Sequence, residues 1–288
     1  MAELPLSITP VVDINDAGDV LGFQCSDAIC TESAPFLWNA VSGDVTYMDA
    51  GRWLTWTAAL NDRGAALLQD SDHQYWLYAG GQARAILPDR RVERARLGNQ
   101  GWIVGLLSTP TGPDAFLYEP DRDVLTIFGH GHYDVTSVNG AGDIVGHASG
   151  RAVLFEPDGG IVDLGLGDHS RPVAVTEGRL VHGYGGDSYD QTTGAYTPPF
   201  GFVHDLRTGE TTRFDPPDGL GWEFVLDGND RETLLRNALW SDGRASTLEA
   251  LCGQPILGGV AINAAGQILV HFERADGRLG VGVLTPGE

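Results

Sequence analysis

One pattern returns along this chain about every 40 residues. An apolar residue and a turn residue precede two more positions, a Gly, and then an apolar run. The copies are Ile14-Asn15-Asp16-Ala17-Gly18, Leu60-Asn61-Asp62-Arg63-Gly64, Leu97-Gly98-Asn99-Gln100-Gly101 and Val138-Asn139-Gly140-Ala141-Gly142. They continue as Val175-Thr176-Glu177-Gly178, one residue short, a decayed Leu226-Asp227-Gly228-Asn229-Asp230, and Ile262-Asn263-Ala264-Ala265-Gly266. Self-similarity at this period restricts the chain to an array, a solenoid or a propeller.

Within one copy the residues read as four short strands. Tyr133 to Val138 alternates, Asn139 to Gly142 turns the chain, and Asp143 to Gly146 forms a second strand. Ala152 to Phe155 is a third, Glu156 to Gly160 a tight turn, and Ile161 to Leu164 a fourth. Asn and Gly suit the turns because they tolerate positive φ. The third strand recurs as Phe36-Leu37-Trp38, Trp76-Leu77-Tyr78, Phe116-Leu117-Tyr118, Phe202-Val203-His204 and Ala238-Leu239-Trp240. Fourth strands recur as Val45 to Met48, Ala85 to Leu87, Leu125 to Phe128, Thr212 to Phe214 and Ser246 to Leu248. No sustained 3.6 period competes with this pattern.

Four antiparallel strands per unit make the blade of a β-propeller. The expectation is an all-β, seven-bladed β-propeller forming a single domain over residues 1–288. The last copy stops after three strands, so Ala2 to Leu6 is expected to supply its outer strand and remove an exposed edge. Six blades remain an alternative, because the sixth copy lacks its Gly and has Glu232-Thr233 where apolar residues belong.

The segment Asn15-Asp16-Ala17-Gly18-Asp19-Val20-Leu21-Gly22 with Ala34-Pro35-Phe36-Leu37-Trp38 resembles the bacterial HAF-repeat family, as does Asn139 to Gly146 with Ala152 to Phe155. The resemblance covers nearly the whole chain and implies a propeller. It transfers no catalytic residue set.

Composition narrows the partners. A net charge of −21, from 39 acidic against 18 basic residues, repels phosphate backbones and anionic lipid. Nucleic acid and membrane are therefore not expected partners; a small-molecule ligand is, with the protein a monomer. No basic region followed by an apolar stretch opens the chain, so a cytoplasmic location is expected. Cys25, Cys30 and Cys252 make no disulfide framework.

Function in such a fold belongs to variable loops on a rigid frame, so the repetitive Asn-x-x-Gly turns read as scaffold. Five of the eight histidines, His130, His132, His147, His169 and His182, fall where the topology gathers them at one mouth of the ring, and His271 ends a second strand there. Histidine performs acid and base work near neutral pH. Asp134 or Asp187 is expected to orient one imidazole. Trp53, Tyr133, Tyr184, Tyr189, Trp222 and His271 are expected to line a substrate pocket.

The reading is a small-molecule-binding propeller, an enzyme of the lyase, isomerase or cyclase type, with no organic cofactor. Asp134, Asp168, Asp187 or Asp190 with these histidines offer the alternative of a divalent metal site, although no metal-binding spacing such as HExxH occurs. Solvated loop histidines are the plain alternative for the cluster. The rival class is a non-catalytic protein- or carbohydrate-binding platform.

Overall fold

A computed structural model describes residues 2–4, 10–25, 33–48, 54–130, 133–156, 159–186, 188–189, 196–215 and 225–285. They form seven four-stranded antiparallel sheets, each a blade, whose strands follow chain order from first to fourth in all but the last. The chain divides into two compact units, Met1–Val92 with Ser246–Glu288, and Glu93–Ala245. The first holds blades 7, 1 and 2 and the second blades 3 to 6.

In the first unit, blade 1 comprises Val11–Ile14, Val20–Cys25, Ser33–Trp38 and Val45–Tyr47, and blade 2 comprises Leu54–Leu60, Ala66–Asp70, Tyr75–Ala79 and Gln82–Ala85. The fourth strand of blade 2 therefore ends where the sequence placed its start. Leu87 at φ 48 turns the chain just beyond it. Blade 7 runs Ile256–Ile262, Ile268–Glu273 and Leu279–Leu284, and takes Ala2–Glu3 as its outer strand, with Ala2 opposite Val283 and Glu3 opposite Gly282. Leu4 extends this pairing from its N–H to the Val281 carbonyl (2.9 Å) and buries its side chain. The chain start thus closes the last blade, as the unpaired edge required.

In the second unit, blade 3 comprises Val92–Leu97, Ile103–Thr109, Gly112–Glu119 and Val124–His130, and blade 4 comprises Tyr133–Val138, Ile144–Ala148, Arg151–Phe155 and Ile161–Asp163. Blade 5 comprises Arg171–Val175, Leu180–Gly185, Phe200–Asp205 and Thr211–Phe214, with a small hairpin, Ser188–Tyr189 against Tyr196–Thr197, inserted between its second and third strands. Blade 6 comprises Val225–Gly228, Glu232–Leu235, Ala238–Ser241 and Arg244–Thr247. A one-turn helix, Leu248–Cys252, follows it; the Thr247 hydroxyl caps its start and Gly253 at φ 72 ends it. Among the described residues no helix is long and apolar enough to cross a membrane.

The turn asparagine explains why the repeat keeps that residue. In blade 4, Asn139 Oδ1 accepts from the Asp143 N–H (2.9 Å) and closes the turn, while its Nδ2 donates to the Thr176 carbonyl of blade 5 (2.9 Å). The same division holds elsewhere. Asn263 Nδ2 reaches the Asn15 carbonyl (2.8 Å), and Asn15 Nδ2 reaches that of Asn61 (3.4 Å). An aspartate would close the turn but lose the donor that ties blade to blade. This face is scaffold in the literal sense.

Two irregular copies resolve here. The fifth turn is full length: the Arg179 N–H donates to the Thr176 carbonyl and Thr176 Oγ1 accepts from the Leu180 N–H (3.1 Å), as in the asparagine turns. Arg179, at φ 65, stands where other copies have glycine. Its guanidinium makes two 2.8 Å contacts with Asp143 of blade 4, which help hold this unfavourable conformation. The sixth turn is one residue tighter, its Asn229 N–H donating to the Glu232 carbonyl. Leu234 and Leu235 then supply the buried apolar pair, and both are fully buried. The count of seven blades stands.

Within each unit, apolar cores lie between neighbouring blades. Phe128, Phe155 and Val135 share one such layer between blades 3 and 4, with the two phenyl centroids 5.3 Å apart. Third-strand aromatics belong to these layers: Phe116 is buried, while Trp38, Trp76 and Trp240 pack against buried clusters.

Candidate functional site

Second strands run away from the Asn-x-x-Gly turns, so their ends and the starts of first strands emerge on the opposite face. There, in blades 3 to 5, three ionisable residues hold matching steps of successive first strands: Arg94, Asp134 and Arg171. Each is defined by the glycine it faces. A Cβ on Gly105, Gly146 or Gly183 would collide with the main-chain oxygen of Arg94, Asp134 or Arg171 respectively. The closing Gly of the repeat is needed for this approach of first and second strands.

Asp134 is the hub. Its Oδ2 accepts a hydrogen bond from Arg94 Nη1. His147, directly opposite Asp134 on the second strand, holds its Nδ1 4.0 Å from the same oxygen. Asp134 Oδ1 and His147 Nδ1 are both buried with no hydrogen-bond partner among the described residues. Tyr133 packs its ring edge-on against Phe155 (5.9 Å) and steadies the strand beside Asp134. The imidazole of His147 titrates below its ordinary range: burial dominates, Asp134 opposes it, and the Arg171 and Arg94 charges add to the depression. At neutral pH it is therefore an uncharged base beside a carboxylate.

The remaining expected residues scatter. Tyr184, opposite Arg171, occupies in blade 5 the place of His147 in blade 4. His182 lies two residues deeper, at a step where the other blades have Leu21, Leu67, Val104, Val145, Leu234 and Leu269, all buried. It too is buried, hydrogen-bonded through Nδ1 to Thr233 Oγ1 (2.8 Å), its ring against the backbone of Gly228 where a Cβ would collide. It is part of the blade 5 to blade 6 packing. Burial pushes its pKa down to about 4, against weaker pulls upward from the Asn229 main chain and Asp230.

His169 is exposed, at φ 60, on a turn pinned to the third strand of blade 4 by the Ala152 N–H donating to Ser170 Oγ (2.8 Å). Asp168 beside it pairs with Arg151 Nε (2.7 Å). In the first unit, His271 stands opposite Gly258 with a buried Nε2 that has no hydrogen-bond partner among the described residues, and burial lowers its pKa.

His130 ends the fourth strand of blade 3, opposite Asp114, and Tyr189 lies in the inserted hairpin. The side chains of these two, and His132, Asp187, Asp190, Trp53 and Trp222 altogether, lie outside the described residues. Among the described residues no group of three or more His, Cys, Asp or Glu side chains could hold a metal ion.

Sequence reading missed Arg94 and Arg171 as site residues. The available signal was an ionisable residue recurring near the head of three successive first strands. It shows only after alignment on the turns.

No family model matches the chain, and no curated protein matches it. Among solved structures, the β-propeller domain of the Trilobed protease from Pyrococcus furiosus is similar over 98% of this chain and 97% of that one, with TM-score 0.59 and 10% identity. Pyrococcus horikoshii acylaminoacyl peptidase, uncomplexed, is similar over 98% of this chain with TM-score 0.60 and 10% identity, and the chain spans 51% of that peptidase. At such identity these likenesses bear on fold alone. Together with the seven antiparallel blades and the terminal strand that completes the last, they make this chain a seven-bladed β-propeller.

Proposed function

We propose that the loop face of blades 3 to 5 binds a small organic molecule and that His147 accepts a proton from it, in an elimination, isomerisation or cyclisation. The observation that carries this reading is the His147–Asp134 pair: a partly buried neutral imidazole whose Nδ1 lies 4.0 Å from a carboxylate oxygen. A base of this kind gains a proton as the reaction proceeds. The Asp134 charge then stabilises the imidazolium, and a small side-chain rotation closes the remaining gap to hydrogen-bond length. Arg94 donates to Asp134 Oδ2 and fixes its orientation.

The test needs no named substrate. The protein is incubated with a metabolite extract in heavy water and the small molecules are read by mass spectrometry. The expected result is deuterium uptake or conversion of at least one metabolite, reduced at least a hundredfold by His147→Gln. Equal turnover by the variant, or no metabolite altered, overturns the catalytic reading and leaves the propeller as a binding platform.

A further inference from the structure

Asn139 and Gly140 form the only Asn-Gly pair in the chain, and they lie in the turn that ties blade 4 to blade 5. Such a pair is the one most open to succinimide closure, because glycine has no side chain to hinder attack of its nitrogen on the asparagine amide. Here both reacting groups are held. The Gly140 N–H donates to the Glu177 carboxylate of blade 5, 2.9 Å from each oxygen. Asn139 is buried, and its amide is engaged at both ends. Its Oδ1 accepts from the Ala141 and Asp143 N–H groups (3.0 and 2.9 Å), and its Nδ2 donates to the Thr176 carbonyl and Asp143 Oδ2 (both 2.9 Å). A Cβ at position 140 would lie 2.6 Å from Glu177 Oε2. The glycine that makes the bond labile therefore also leaves room for the carboxylate over it.

The contact recurs in the first unit. The Ala264 N–H, after Asn263, donates to Asp16 Oδ1 (2.7 Å), and the Asp16 N–H, after Asn15, to Asp62 Oδ1 (2.8 Å). In each case a carboxylate just after one turn residue takes the peptide N–H that follows the asparagine of the blade before.

We infer that Asn139 is a latent deamidation site and that Glu177 guards it. Closure requires hydroxide to take the Gly140 amide proton and the nitrogen to attack Asn139 Cγ. A new N–C bond forms, the Cγ–Nδ2 bond breaks, and ammonia leaves with a proton from water. Water then opens the ring at either carbonyl, giving aspartate or isoaspartate. The neighbouring carboxylate disfavours the anionic nitrogen on this path, and its hydrogen bond must break first. Either product lacks the donor to the Thr176 carbonyl, and isoaspartate also adds a carbon to the backbone of the turn. Modification would therefore loosen blade 4 from blade 5.

The full chain is held at mildly alkaline pH well below its melting temperature, and peptide mapping by mass spectrometry follows the loss of Asn139. Native wild type is expected to react at least a hundredfold more slowly than the chain unfolded in urea. Glu177→Ala is expected to speed the native reaction at least tenfold at Asn139 and to leave Asn15 and Asn263 unchanged. Glu177 is exposed, and a melting curve checks that its variant stays folded. Thr233→Val disturbs the junction of blades 5 and 6 instead and is expected to change the Asn139 rate less than twofold. Native wild type reacting as fast as the unfolded chain overturns the protection. Equal acceleration in the two variants shows that general opening sets the rate and overturns the role of Glu177. An unchanged or slower rate in Glu177→Ala overturns it as well.

Discussion

His182 Nδ1 and Thr233 Oγ1 lie 2.8 Å apart across the junction of blades 5 and 6, two polar groups at steps that other blades fill with buried apolar residues. The pair explains why the sixth copy of the repeat departs from the pattern: Thr233 and Gly228 accommodate the His182 ring. Thr233→Val is expected to cost about 1–3 kcal/mol, because it leaves a buried ring nitrogen unpaired. His182→Leu combined with Thr233→Val is expected to recover most of that loss. Urea denaturation of the two variants measures both, and an equal loss in each would refute the pairing argument.

The same histidine makes stability pH-dependent. Its folded-state pKa of about 4 lies below the ordinary value of 6.5, so the unfolded chain binds the proton more readily. Stability from this group is full above pH 6.5 and is lost as pH falls toward 4. Over that window the loss approaches about 3 kcal/mol. The His182→Leu, Thr233→Val variant is expected to show a shallower decline over pH 6.5 to 4, and denaturation midpoints at several pH values check it.

Asp134 raises the pKa of His147 while burial, Arg171 and Arg94 lower it. Asp134→Asn is therefore expected to move the imidazole pKa further down, and Arg94→Gln to move it up. Histidine resonances followed by NMR through a pH titration read both shifts. Shifts of the same sign in the two variants would contradict the electrostatic arrangement.

Asn139→Asp keeps the acceptor for the Asp143 N–H but removes the donor to the Thr176 carbonyl and places a second carboxylate beside Asp143. The expected cost is about 1–3 kcal/mol. Thermal melting at neutral pH measures it, and part of the loss is expected to return in high salt as repulsion is screened.

Gly146→Ala puts a methyl group into the Asp134 carbonyl and the Phe155 ring. The strands must separate, at about 1–3 kcal/mol or more. Because Asp134 moves with its backbone, this variant is also expected to disturb the His147 titration, which a purely local packing defect would leave unchanged.

Blade number, strand order and the scaffold role of the turns were readable along the chain, because the repeat is local: each Asn-x-x-Gly turn closes through its own neighbours. The closing of blade 7 by Ala2–Glu3 followed from a missing strand and an edge that needed a partner. The partners of individual histidines were not readable. In the fifth copy, Arg179 adopts the positive φ usually left to glycine, so counting from Gly178 misplaces the following strand by one residue.

In a pleated strand one step exchanges the two faces, and the bulge between Pro172 and Ala174 shifts the pairing again. His182 therefore points into the blade junction, and Tyr184 takes the place beside Arg171. The amino-acid order alone determined the repeat of four strands and the turns that close them. Only the tertiary structure decided which side chains share a face, since that depends on register and backbone conformation at single residues. Arg94, Asp134 and His147 meet for that reason, although they stand far apart in the chain.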